Sequence, residues 1–293
     1  MQRQAAALCA AVLLLVTAAA GAQPTGKHFM WKVEDKYGAS AFLLGSLHVL
    51  TQDWYPLAPA INKAFDASET LVEEVDIEET SDPMMMMAAL SKAMLTDGRT
   101  LDQVVSAETY AEVKRRAEKV GLPLVAIQRM KPWLVAITLM APTLQAAGFK
   151  PELGVDRHFF DRAKAVGMKT RALETLTYQL ERFDQLSPKL QEELLKTTME
   201  DLDTEVKGVK EMAQAWSFGN VAAIEKLTLT ALQETPELYQ RLLVERNHNW
   251  VPQIESCLKE NARCFVVVGA AHLVGPDGLP ALLTKKGYKV VQQ

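Results

Sequence analysis

Strand-like apolar runs lie near both ends of the chain, and helical periodicity fills the region between them. The runs that favour strands are HFMWKVEDKYGASAFLLGSLH (28–48), TLVEEVDI (70–77), RCFVVVG (263–269) and YKVVQQ (288–293), with a short KTRAL (169–173) between them. From 83 to about 151, and again from 176 to 258, apolar residues recur at the spacing of amphipathic helices. The pattern predicts an α/β fold with a mixed central sheet built from strands at both chain ends and a large helical insertion or cap.

The first 22 residues have the features of a secretory signal peptide. Arg3 precedes the apolar stretch AAALCAAVLLLVTAAA, which ends in the small-x-small pattern Ala20-Gly21-Ala22. The stretch is shorter than the ~20 apolar residues of a comfortable membrane span, although an uncleaved anchor is the alternative. We therefore expect 1–22 to be removed. Residues 23–293 then form one exported domain, periplasmic or secreted, with no transmembrane segment.

Composition and charge limit the possible partners. The chain is 48% hydrophobic and 23% charged, which is ordinary for a globular protein. Its formal net charge is −4, and loss of Arg3 with the signal peptide makes it −5. No basic stripe with interleaved aromatic residues is present, so the sequence argues against nucleic acid as a partner.

The mature chain keeps two cysteines, Cys257 and Cys264, on either side of a predicted helix-to-strand turn. In an oxidising compartment, an even pair at this spacing indicates a disulfide bond. Two free structural thiols are the alternative.

Two copies of Gly-x-x-His, Gly45–His48 and Gly269–His272, each follow an apolar strand. In open α/β sheets the strand ends form the ligand crevice, so both imidazoles are expected in one pocket. Strand alternation places Glu74 on the face opposite Glu73. Two histidines and a carboxylate suffice to bind a divalent metal and leave positions open for water. A single strand-end histidine is more often structural, but the duplicated motif favours a site.

A longer set of segments resembles the TraB/PrgY/GumN family. These segments are AFLLGSLHVL, LVEEVD, KPWLVAITL, PELGVDRHFFDRAK, RALETLTYQL, PELYQRLLVERNHNW and VVVGAAHLVGPDGLPALLTKKGYKV, and they cover nearly all of the mature chain. The family is related to the Tiki Wnt-cleaving proteases and, more distantly, to erythromycin esterases and haem-binding ChaN. The resemblance implies a mixed α/β fold with a hydrolytic site, dependent on Mn²⁺ or Co²⁺ in the Tiki branch; Zn²⁺ is a further possibility.

The resemblance places His48, Glu74 and His272 at the site as metal ligands, with Glu74 as a ligand or as the general base, and with Arg246 of the Glu-Arg-Asn-x-x-Trp motif beside them. The alternative is a metal-free arrangement as in the esterase relatives, with His48 as general base and Glu74 orienting it. Two adjacent glutamates leave the choice between Glu73 and Glu74 open. Arg246 is expected to stabilise an oxyanion.

A further candidate is Glu174, which follows a predicted strand, although it fits equally well as a helix cap. Together these features predict an exported metal-dependent hydrolase, most plausibly a peptidase acting on a peptide or protein. The alternative is a non-catalytic periplasmic protein that binds a peptide, haem or another small ligand.

Overall fold

The computed structural model of the protein describes residues 26–293, apart from the side chains of residues 89, 201–205 and 231. The predicted signal peptide, 1–22, lies outside the described residues. Within the described part of the chain, no helix combines the length and the apolar character needed to cross a membrane.

Six strands form one mixed sheet. They are β1 (Met30–Glu34), β2 (Ser40–Ser46), β3 (Thr70–Glu73), β4 (Lys169–Ala172), β5 (Cys264–Gly269) and β6 (Lys289–Gln292). Their order in the sheet is β4-β3-β5-β2-β1-β6. The four strands β4, β3, β5 and β2 run parallel, whereas β1 is antiparallel to both β2 and β6. The predicted α/β fold, with its sheet built mainly from the two chain ends, is therefore confirmed.

The middle of the sheet is the most buried part of the fold. Residues 264–268 of β5 are all buried, as expected for a central parallel strand that is covered on both faces. At the edge of the sheet, every residue of β4 is exposed. Polar residues in β4 and continuous apolar residues in β5 thus reflect their places in the sheet.

Thirteen α-helices in the described residues cover the sheet and form the cap. They are α1 (Pro59–Asp66), α2 (Ile77–Ser81), α3 (Pro83–Ser91), α4 (Ala107–Lys119), α5 (Leu124–Ile127), α6 (Pro132–Ala146), α7 (Val155–Ala165), α8 (Leu176–Asp184), α9 (Pro188–Ser217), α10 (Val221–Gln233), α11 (Pro236–Tyr239), α12 (Glu245–Lys259) and α13 (Leu279–Lys285). Four 3₁₀ turns span Gln52–Trp54, Leu101–Gln103, Pro151–Leu153 and Ala270–Leu273. The long helix α9 packs along α6 in the cap.

A π-helical segment, Gln240–Val244, joins α11 to α12 without a break in the helix. Such π segments are uncommon and occur frequently at functional sites. The segment directly precedes Glu245, the first residue of the Glu-Arg-Asn-x-x-Trp motif.

A disulfide bond joins Cys257 of α12 to Cys264, the first residue of β5, with the two Cα atoms 6.0 Å apart. The turn between them carries Asn261 and Arg263 at positive φ, 48° and 42°. The predicted pairing is confirmed. The bond ties the helix that carries Arg246 to the strand that leads to His272.

Candidate functional site

Three parallel strands end at the same edge of the sheet and bring the two Gly-x-x-His motifs together. In the register of the sheet, Ser46 of β2 lies opposite Gly269 of β5, and Glu73 of β3 lies opposite Val267. The chain therefore delivers one candidate residue after each strand, His48, Glu74 and His272, at neighbouring positions.

Gly269 lies at the centre of this cluster. A Cβ atom on Gly269 would stand 3.2 Å from Glu74 Oε1 and 3.6 Å from both His48 Nε2 and His272 Cδ2. Its φ of −50° is open to any residue, so the backbone does not require glycine here. The missing side chain instead leaves space between the three candidate residues.

Glu74 is a buried carboxylate with partners on both oxygens. Oε1 accepts a hydrogen bond from the Gly269 amide at 2.6 Å. Oε2 accepts hydrogen bonds from Arg246 Nη2 at 2.5 Å and from Gln179 Nε2 at 3.0 Å. Burial alone raises the pKa of Glu74, but the Arg246 charge and the neighbouring histidines outweigh it and lower the pKa to about 2. Glu74 is therefore ionised at neutral pH.

His272 is buried and uses both ring nitrogens within the protein. Nδ1 lies 2.7 Å from Asn247 Oδ1, and Nε2 lies 3.0 Å from Arg246 Nη1. Burial and the adjacent Arg246 charge lower the pKa of His272 to about 3. The neutral ring must therefore donate from Nδ1 to Asn247 and accept at Nε2 from Arg246.

The Arg246 guanidinium contacts four hydrogen-bonding partner residues. Nη1 contacts Leu242 O at 3.1 Å in addition to His272. Nη2 contacts Glu174 Oε1 at 2.8 Å in addition to Glu74, and Nε donates to Glu174 at 3.0 Å. Most of the five donors of the guanidinium are therefore directed at protein groups. These contacts favour a positioning role for Arg246, and its oxyanion role stays a prediction.

The rest of the Glu-Arg-Asn-x-x-Trp motif completes this buried network. The Trp250 ring lies 4.4 Å from the His272 ring and 4.7 Å from the Arg246 guanidinium, and its Nε1 donates to Glu174 at 3.1 Å. Glu245 points away and pairs with Arg182 at 3.2 Å. Glu174 therefore belongs to the network as a partner of Arg246 and Trp250. The helix-cap interpretation does not account for these two contacts.

His48 has a different environment from His272. About half of its side-chain surface (51%) is exposed, and Nδ1 lies 3.3 Å from Asp156 Oδ1. Partial burial alone lowers the pKa of His48. The Asp156 carboxylate and, more weakly, Glu74 outweigh this effect and raise the pKa to about 9. His48 and Asp156 thus form a pair whose Nε2 faces Glu74.

Asp156 is the functional candidate that the sequence analysis missed. It lies in the first turn of α7, and the Val155 amide bonds to Leu47 O at 3.0 Å. A Cβ on Gly154 would stand 2.5 Å from His48 O, so only glycine allows the helix to begin this close to His48. The sequence feature that could have indicated Asp156 is Gly154 directly before a helix that has an aspartate in its first turn.

Two cavities meet at the candidate residues, and both are lined by Ser46, His48, Glu74 and Gln179. The first, of about 220 Å³, extends under the cap and is mainly apolar. Apolar side chains in its wall include Ile137, Phe183, Met212 and Leu243. The second, of about 350 Å³, extends towards α7 and is lined by Glu73, Glu152, Asp156 and Arg157. Glu74 thus lines the shared part of the two cavities, and Glu73 lines only the second.

The predicted metal site can be tested against these contacts. Arg246 already occupies His272 Nε2 and one oxygen of Glu74, and it brings a positive charge against both groups. A metal ion would have to displace this guanidinium to reach those atoms. Across residues 26–293, no cluster of three or more His, Cys, Asp or Glu side chains is arranged to hold a metal ion. As arranged, His48, Glu74 and His272 do not fit a three-ligand metal centre.

Comparison with known proteins agrees with this architecture. The profile of the TraB/PrgY/gumN family matches residues 29–292. The uncharacterized protein YbaP is 25% identical in Escherichia coli (strain K12) and 24% identical in Shigella flexneri, each over 88% of this chain and 94% of the relative. The metalloprotease TIKI2 of Xenopus tropicalis is 26% identical over 89% of this chain and 59% of its own length. No solved structure matches the chain. The family match spans nearly all of the described residues, and the chain belongs to the TraB/PrgY/gumN family.

Proposed function

We propose that the protein is a hydrolase that cleaves an acyl C–N or C–O bond, with a peptide bond as its natural target and His48 as general base. The observation that carries the proposal is the His48–Asp156 pair, whose free Nε2 edge faces Glu74 across Gly269 where two cavities meet. Membership of a family that includes a relative named as a metalloprotease supports the reaction class.

The attacking water is proposed to bind in the space beside Gly269. There it donates one hydrogen to His48 Nε2 and the other to Glu74 Oε1, since both atoms lie near this point. His48 takes a proton from the water as it attacks the carbonyl carbon to form a tetrahedral intermediate, and Asp156 stabilises the imidazolium that forms. The intermediate collapses with cleavage of the acyl C–N or C–O bond, and the imidazolium returns the proton to the leaving amine or alcohol. Arg246 holds Glu74 in place and is itself held by His272. No metal ion is assigned to this reaction, because Arg246 occupies His272 Nε2 and one oxygen of Glu74.

The apolar cavity under the cap indicates the kind of substrate. A group that enters it leaves water for a wall of aliphatic and aromatic side chains, at about 25 cal/mol for each Å² of apolar surface buried. We therefore propose that an apolar side chain or acyl group lies next to the scissile carbonyl. Peptides with a large apolar residue, and aryl esters of medium-chain acids, are the matching test compounds.

The proposal is tested by measuring hydrolysis of fluorogenic peptides and p-nitrophenyl acyl esters, with and without EDTA. We expect turnover that depends on the apolar group, persists in EDTA and disappears in His48→Gln. His248→Gln is the control, because His248 is an exposed histidine elsewhere on the surface.

Other outcomes separate the alternatives. Turnover that EDTA abolishes and Mn²⁺, Co²⁺ or Zn²⁺ restores would contradict the metal-free mechanism. If a peptide, haem or another small molecule binds but no preparation cleaves it, the alternative of a non-catalytic binding protein is supported instead of the hydrolase.

Export of the protein is proposed separately. The Cys257–Cys264 disulfide supports it, since such bonds persist in oxidising compartments. N-terminal sequencing of the mature protein is expected to begin near Gln23, and recovery of intact Met1 from the exported protein would contradict the proposal.

A further inference from the structure

The second cavity contains a buried carboxyl group that the proposed reaction does not use. Glu73 is only 3% exposed, and its Oε1 has no hydrogen-bond partner among the described residues. The side chain lines the cavity that also contains His48 and Asp156. A buried polar group without a partner costs free energy, and Ser46 Oγ, which lines the same cavity, also has no partner among the described residues.

The charged side chains that line the cavity with Glu73 are mostly acidic, and several are already paired. Asp156 is engaged by His48, and Arg157 donates to Asp161 at 2.9 Å and to Ser81. The one guanidinium lining the cavity is therefore directed towards other partners. Glu152 adds a further carboxylate at the exposed rim.

An unpaired acceptor in an acidic cavity is suited to a ligand that brings donors and positive charge. A primary ammonium group supplies three N–H donors and one unit of charge. Burial and the nearby Asp156 and Asp76 carboxylates raise the pKa of Glu73 to about 9, so its carboxyl group is neutral in the empty cavity. An ammonium group that lies against it favours the ionised form, and hydrogen bonds from an ammonium to a carboxylate are charge-assisted. A carboxylate or phosphate would instead meet Glu152 and Asp156 as like charges.

We propose that the cavity lined by Glu73 is a substrate subsite that binds a primary ammonium group. The inference rests on the proposed function and specifies its substrate. The apolar part of the substrate occupies the cavity under the cap, the scissile carbonyl lies at His48 and Glu74, and the ammonium group lies beside Glu73. The ammonium belongs either to the N-terminus of a peptide or to a lysine side chain.

The experiment measures binding by calorimetry, with probes that have no scissile ester. L-Phenylalaninol carries an α-ammonium, and N-acetyl-L-phenylalaninol is the matched compound without charge. Nα-Acetyl-L-lysine N-methylamide carries only a side-chain ammonium. Each is titrated into the wild type, Glu73→Gln, and Glu108→Gln as a control, since the Glu108 side chain is 83% exposed.

We expect at least one ammonium probe to bind the wild type about tenfold or more tightly than the acetylated compound. This preference should fall below about threefold in Glu73→Gln and stay unchanged in Glu108→Gln. Tight binding of phenylalaninol assigns the ammonium to an N-terminus, and tight binding of the lysine derivative assigns it to a side chain. Equal binding of all three probes, or a preference that survives Glu73→Gln, overturns the inference.

Thermal unfolding provides a second readout. If Glu73 serves a ligand, Glu73→Gln keeps or raises the Tm, because the unliganded protein loses an unpaired buried carboxyl group. A large drop in Tm would indicate a structural role and contradict the inference. If ammonium probes bind through Glu73 but no substrate is turned over, only the hydrolase proposal is contradicted. If substrate is turned over equally by the wild type and Glu73→Gln, and ammonium probes show no preference, only the subsite is contradicted.

Discussion

The two Gly-x-x-His segments have the same sequence pattern but opposite environments. His48 is half-exposed, contacts the Asp156 carboxylate and has a raised pKa. His272 is buried, contacts the Arg246 guanidinium and has a lowered pKa. The motif delivers an imidazole to a strand end in both cases, and the charge next to each ring then decides its chemistry. His48 is suited to proton transfer, whereas His272 holds other groups in place.

The two glycines differ in the same way. A Cβ on Gly45 would stand 2.3 Å from the Phe29 ring, so this glycine makes room for core packing. A Cβ on Gly269 would instead enter the space between His48, Glu74 and His272. In the first motif, Gly45 makes room for core packing and only His48 lies at the candidate site. In the second motif, both Gly269 and His272 lie at the candidate site.

The largest expected effect comes from exchanging the two histidines for glutamine. We expect His48→Gln to lower kcat/KM by about 10²- to 10⁴-fold, the usual worth of a general base. Its unfolding free energy should match that of the wild type at about pH 10, above the raised pKa of His48, where the charged pair no longer contributes. His272→Gln should instead lose about 1–3 kcal/mol of unfolding free energy, because partners of a buried ring are left unsatisfied. Hydrolysis assays and urea unfolding of both variants check this, and equal stability losses would contradict the assigned roles.

Removal of the guanidinium beside His272 is the next largest change. Arg246→Met leaves Glu74 and Glu174 as buried carboxylates without their counter-ion, so we expect a loss of about 3–5 kcal/mol in urea unfolding. The control is Arg171→Met, since Arg171 pairs with Glu260 at the surface and such pairs contribute about 0–1 kcal/mol. Similar losses for both variants would mean that the buried network contributes little.

Alanine at the two glycines is expected to have smaller and contrasting effects. Gly45→Ala should cost about 1–3 kcal/mol, the usual range for overpacking, because the Phe29 ring must move. Gly269→Ala should leave stability nearly unchanged and lower turnover, since its Cβ occupies the proposed water position. The measurements are urea unfolding and kcat/KM for each variant. Full activity in Gly269→Ala would rule out that position for the attacking water.

The sequence predicted the fold well because periodicity and strand composition depend on local burial. The continuous apolar residues of β5 indicated a central strand, and its place next to β2 followed from the parallel α/β architecture. The cysteine spacing likewise predicted the disulfide. The burial of β5 and the disulfide are determined by residues close together in the chain, whereas the pairing of β5 with β2 joins distant segments.

The charges around the candidate residues were not predictable in the same way. Asp156 lies 108 residues from His48, and Arg246 lies 172 residues from Glu74. The strand pattern places Glu73 and Glu74 on opposite faces, but only packing against α7 and α12 determines what each face meets. The sequence therefore placed both histidines at one site without distinguishing their surroundings. The three-dimensional contacts show that His48 lies beside a carboxylate and His272 beside a guanidinium.

The pH dependence gives the finest test of the comparison, because the two histidines act in different pH windows. The folded-state pKa of His272 is lowered from 6.5 to about 3, so the unfolded chain binds a proton that the folded protein does not. Its contribution to stability is present above pH 6.5 and is lost as the pH falls towards 3. The folded-state pKa of His48 is raised to about 9, so its contribution is present below pH 6.5 and is lost as the pH rises through 9.

Urea unfolding at pH 7 and pH 5 checks the acid window. The wild type should lose more stability between these two values than His272→Gln, in which the titrating ring is absent. Activity checks the alkaline window, since kcat/KM should rise with pH until His48 is deprotonated near pH 9. Asp156→Asn removes the carboxylate that raises this pKa, and the rise should then move to lower pH. If the pH–rate profile of Asp156→Asn matches that of the wild type, a group other than His48 limits the reaction.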